Sequence, residues 1–95
     1  MEYNAPCTGE KYRDIAKAMG VEGTDAMSIE EARKAAVNAV VELNKKVGIP
    51  ADLKDILKAE DVQFLSESAY ADACRPGNPK DTSVEEIAEL YRALL

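Results

Sequence analysis

The chain has 95 residues, a net charge of −6, 46% hydrophobic and 32% charged residues, and no histidine. That length allows one domain at most, or part of a larger one, and the hydrophobic fraction is too high for a disordered chain. The acidic balance argues against nucleic acid as a partner, because phosphate binding needs Lys and Arg gathered on one face, and here they alternate with acids. No apolar run approaches the roughly 20 residues that span a bilayer, and Met1-Glu2-Tyr3-Asn4 lacks the basic start of a leader peptide. Cys7 and Cys74 have no metal-type spacing; their separation allows one disulfide, and free thiols in a reducing cytoplasm are the simpler expectation.

In chain order, Tyr12, Ile15, Ala16 and Met19 fall at helical spacing and predict a helix over 9–19, capped by Thr8 and closed by Gly20. The next helix opens on a capping box of Ser28 and Glu31. Its stripe runs through Ile29, Ala32, Ala36, Ala39, Val40, Leu43 and Val47, before Gly48 and Pro50 end it. Asp52 caps a short turn reaching Leu57, and a third helix is expected over 59–73 with Val62, Leu65, Ala69 and Ala73 on one face. Pro76, Gly77, Asn78 and Pro79 make a loop. Ser83 and Glu86 repeat the capping box, and Val84, Ile87, Leu90, Tyr91 and Leu94 carry a last helix to the end. No segment alternates as a strand, so the expected class is all-α: a single helical domain or partial domain over 1–95. With no Trp and one Phe, the core must come from Ala, Val, Ile and Leu, and it is thin.

The missing histidine removes the commonest acid–base group and the commonest metal ligand together. The pairs Glu30/Glu31, Glu60/Asp61 and Glu85/Glu86 each open a predicted helix, where the dipole favours carboxylates, and adjacent residues point about 100° apart on a helix, unfit to chelate one ion. Residues 78–89 carry Lys80 and Ser83 where a calcium loop needs an oxygen ligand and Gly. The five glycines never cluster into a phosphate cradle. The expectation is a chain with no catalytic, cofactor-binding or metal-ligating residue of its own. Cys74 stands apart, at a helix end beside a Pro/Gly loop; the negative end of the helix opposes a thiolate there, so it reads as a half-buried, unreactive cysteine.

The segments GEKYRDIAKAMGV (9–21), MSIEEARKAAVNAVVELNKKVGIPADLKD (27–55) and DACRPGNPKDTSVEEIAELY (72–91), with Met1-Glu2-Tyr3-Asn4-Ala5-Pro6, resemble the iron-dependent alcohol dehydrogenase family over essentially the whole chain. The resemblance implies a parent several times longer, with an α/β domain for NAD(P) and an all-α C-terminal domain holding iron on one Asp and three His. All of those sites lie before the position matching Met1. The chain then corresponds to the tail of the helical domain, inactive alone, with iron and NAD(H) bound by the parent and the remainder of the dehydrogenase as partner. By the same resemblance Cys74 lines the alcohol pocket by contact only. Lys80 replaces an Arg usual in the family, which keeps the charge and loses the planar fork. The rival reading is a freestanding helical interaction module that self-associates through exposed apolar faces.

Overall fold

A computed structural model describes residues 1–95 of the chain. It holds four α-helices, α1 (Lys11–Ala18), α2 (Ile29–Lys46), α3 (Val62–Ala71) and α4 (Val84–Arg92), joined by turns and short 3₁₀ segments, with no strand. The all-α class expected from periodicity is the one observed. The chain divides into two compact units, Met1–Ile49 and Pro50–Leu95. None of the helices is long and apolar enough to cross a membrane.

The first unit begins differently from expectation. Residues Glu2–Cys7 form a 3₁₀ helix that the periodicity did not show. Thr8 closes that turn instead of capping α1, its Oγ1 donating to the Ala5 carbonyl at 2.9 Å. Gly9 then turns into the left-handed region at φ +54°, which separates Thr8 from the helix and delays the start of α1 to Lys11. The far end of α1 behaves as predicted: Gly20, at φ +87°, donates to Lys17 O and Val21 donates to Ala16 O, satisfying two carbonyls left open by the helix end.

Helices α1 and α2 meet through Tyr12, Ala16 and Ala36, with Ala5, Ile15, Val21, Ala35 and Val37 packed around them. Ala16, Ala32 and Ala36 are fully buried, so small side chains let the helix backbones approach closely. Tyr12 brings the one large ring into this core, and its hydroxyl donates to the Met1 carbonyl at 2.7 Å. Ser28 accepts from the Glu31 amide at 3.1 Å, so the serine half of the expected box is made.

At 1.5 Å per residue α1 is about 12 Å long and α2 about 27 Å, from 8 and 18 residues. The first helix therefore covers only the opening turns of the second. The predicted stripe of α2 is buried at Ala32 and Ala36, then emerges: Leu43 is 45% and Val47 62% exposed.

In the second unit, α3 and α4 pack through Val62, Ser66 and Ala88, with Leu57 also buried. Ser66 avoids an unsatisfied buried hydroxyl by donating back to the Val62 carbonyl at 2.6 Å. The third helix, expected over 59–73, is a 3₁₀ turn at Ala59–Asp61 followed by α3, and it stops at Ala71 because Asp72 is extended. Ala73 consequently lies outside the helix. Asp52 accepts from the Lys54 amide at 3.3 Å, the short turn its position suggested. Ser83 and Glu86 make the complete reciprocal box at the start of α4. The Leu53 amide donates to the Leu94 carbonyl at 2.8 Å, tying the entry of the unit to the turn after α4.

Candidate functional site

The turn after α3 holds the one candidate site residue, Cys74. Asp72 shapes the turn: its Oδ1 accepts from the Cys74 amide at 2.7 Å, and its carbonyl accepts from the Arg75 amide at 3.1 Å. Arg75–Gly77 then complete one 3₁₀ turn, with Pro76 fixing the backbone inside it. Asn78 donates from Nδ2 to the Lys80 carbonyl at 2.7 Å, holding the exit of the loop.

Cys74 is exposed, where a half-buried position was expected. The reason is local: the turn folds back on α3 through Arg75, leaving the preceding side chain outside. Arg75 Nε donates to the Tyr70 carbonyl at 2.6 Å, and its guanidinium lies 4.1 Å from the centre of the Tyr70 ring. One cation thus caps an open carbonyl of α3 and stacks on an aromatic face. The sequence shows the ingredients of this clamp, an aromatic in the last turn and an Arg just beyond it, but not their pairing. Arg75 is thus committed to Tyr70, and Asp72 Oδ1 to the Cys74 amide.

The acidic pairs sit where they were expected, in the first turns of α2 and α4 and in the 3₁₀ turn before α3. Asp61 Oδ2 accepts from the Lys58 amide at 3.3 Å, a capping contact. No three residues among Cys, Asp, Glu and His converge on a point that would hold a metal ion. With no histidine either, the residues present do not fit an iron centre, and the dispersed glycines do not fit a pyrophosphate. A shallow pocket in the first unit lies between Glu2 and Ala5 of the 3₁₀ helix and Glu30, Arg33, Lys34 and Val37 of α2. Arg33 there pairs through Nη1 with Glu30, at 3.1 Å, and donates from Nη2 to the Gly9 carbonyl, at 3.3 Å, while its buried Nε has no hydrogen-bond partner.

The sequence profile of the Fe-containing alcohol dehydrogenase family, C-terminal, matches residues 1–95, and the chain belongs to that family. It is similar to lactaldehyde reductase of Escherichia coli K12, 53% identical over 92 residues that make up 96% of this chain and 24% of that protein. It is also similar to 1,3-propanediol dehydrogenase of Citrobacter freundii, 37% identical over 95% of this chain and 23% of the relative. NAD-dependent methanol dehydrogenase of Bacillus methanolicus is 30% identical, over 98% of this chain and 24% of that enzyme. The chain thus spans about a quarter of the length of the curated relatives it matches.

Proposed function

We propose that this chain is the closing helical segment of an NAD-dependent, iron-containing alcohol dehydrogenase of the lactaldehyde reductase type, and that it is not catalytic by itself. The observation that carries the reading is 53% identity across 96% of the chain to one such reductase. Iron and the nicotinamide belong to the preceding three quarters of the parent, and the part of this chain is to complete the helical domain and form one wall of the alcohol cleft. Cys74, exposed at the turn after α3, is the proposed point of contact with the alcohol, acting by shape alone. Two free, exposed thiols suit the reducing cytoplasm, where we place the protein.

The test is a chimera: lactaldehyde reductase of Escherichia coli with its matching segment replaced by this chain. It should reduce lactaldehyde within about tenfold of the parent rate, a change of about 1.4 kcal/mol in the barrier. The 95-residue chain alone, given iron and NADH, should show no turnover. A folded but inactive chimera, or turnover by the isolated chain, would overturn the reading.

A further inference from the structure

Helix α2 keeps its form well past the point where α1 stops covering it. Ala36 is fully buried beside Tyr12 and Ala16 of α1, Val40 one turn on is half-buried, and Leu43, Val47 and Ile49 are exposed. Val40, Leu43 and Val47 follow Ala36 at the three- and four-residue spacing of one helix face, so the α1–α2 seam runs on as an uncovered apolar stripe. The far end of that stripe is locked by the backbone alone. Gly48, at φ +76°, donates to the Lys45 carbonyl at 3.3 Å, and Ile49 donates to the Asn44 carbonyl at 2.9 Å, the paired closure of a Schellman motif. Lys45, on the opposite side of the helix, pairs with Glu42 at 3.2 Å and is open to water.

The size of the stripe decides between occupants. From Val40 to Val47 it runs about 11 Å along one helix, whereas a stable interface between separate molecules takes roughly 20–30 residues a side. That is too little to hold a second copy of this chain. A segment of the same polypeptide is not bound by that area, because the covalent link raises its effective concentration. The relatives contain such segments in bulk, since about three quarters of each lies outside the part this chain matches. On the proposed function the parent polypeptide joins this unit at Met1, whose carbonyl accepts from the Tyr12 hydroxyl at 2.7 Å, beside the same seam that the stripe prolongs. We infer that the stripe of Val40, Leu43, Val47 and Ile49 is the seat for an apolar helix face from the part of the dehydrogenase polypeptide preceding Met1, which takes up α2 where α1 leaves it. The inference rests on the proposed function and adds the surface by which this segment joins the rest of the enzyme.

The experiment reads burial directly. Val47→Cys and, on the opposite side of the same turn, Lys45→Cys are placed in both the isolated chain and the chimera. Alkylation at each thiol is followed by peptide mass analysis, which separates it from Cys7 and Cys74. Position 47 should label in the isolated chain at a rate near that of position 45, and at least about tenfold more slowly in the chimera, as a covered site reacts only through local opening. Position 45 should change far less between the two, which separates cover of one face from a general tightening of the helix end. Turnover by each chimera before alkylation shows that it is folded, and Leu43→Cys takes the place of Val47→Cys if that variant loses turnover. Equal labelling of position 47 in the isolated chain and an active chimera would overturn the docking stripe while leaving the proposed function standing. Slow labelling of position 47 in the isolated chain overturns it as well: a dependence on concentration gives the stripe to a second copy, and its absence gives it to residues 50–95. An inactive unmodified chimera sinks the function reading, and the docking stripe with it, so the two failures are distinct.

Discussion

The two units are nearly equal in length and each pairs two helices, yet they are held by different means. The first is fastened from both sides. Alanines bring α1 and α2 together, and long polar side chains reach back to stitch the connecting turns: Arg13 donates to the carbonyls of Thr24 and Met27, Tyr12 to Met1, and Arg33 to Gly9. The second has shorter elements, of 10 and 9 residues, and its buried side chains are small or singular: Val62, Ser66, Ala88 and Leu57. Its largest apolar groups face outward, with Ile56 80% and Phe64 70% exposed. The difference shows that helix pairing alone does not account for where apolar surface goes. Each unit leaves six large apolar side chains exposed, but in the first most of them sit on or just past the half of α2 that outruns α1, whereas in the second they include the two most exposed, Ile56 and Phe64.

The largest effect is expected at the closest helix contact. Ala36 is fully buried beside Tyr12 and Ala16, so Ala36→Leu forces three extra carbons into the gap and should destabilise the first unit by about 1–3 kcal/mol. Helix loss in thermal denaturation checks this, and amide exchange should place the change in residues 1–49. An unchanged melting temperature would mean that α1 and α2 are not closely packed. Next comes Arg13→Ala, which strips a charged donor from two turn carbonyls and should cost about 1.5–3 kcal/mol, nearer the lower end because part of the guanidinium is solvated. Faster exchange at 20–28 than in α2 is the mark of the lost clamp. Uniform acceleration across the unit would point to packing by the side-chain stem instead.

Much of this architecture was legible before any coordinates. Periodicity and punctuation located all four helices, and the boxes and glycines gave the starts of α2 and α4 and the ends of α1 and α2, because those signals act over three to five residues and need no tertiary partner. The start of α1 was misread for the same reason: Thr8 is a good cap in isolation, and only Gly9 turning left-handed, with Ala5 within reach, gives its hydroxyl another acceptor. The stripe of α2 was correct in phase and silent about depth. Which half is buried depends on the length of the helix it meets, so Leu43 and Val47 emerge although they share the face of Ala36. At the candidate site the sequence singled out Cys74, and the fold added the Tyr70–Arg75 clamp that leaves the thiol exposed. Family membership was legible because it rests on residue order along the whole chain.

The smallest effect is expected at the outward face of α3, and it tests the comparison most sharply. Phe64 would ordinarily be a core residue, but it lies on the side of α3 away from Val62 and Ser66 and is 70% exposed. Removing its ring therefore takes little apolar area out of contact, and Phe64→Ser should shift the stability of the isolated chain by no more than about 0.5 kcal/mol in either direction. A loss of 2 kcal/mol or so would be in the range of a buried aromatic and would mean that the ring is covered in solution. Melting at several protein concentrations then separates the causes. A dependence on concentration assigns the cover to another copy, and its absence assigns it to this chain's own residues, in which case the outward placement of Phe64 that sets the second unit apart from the first is lost.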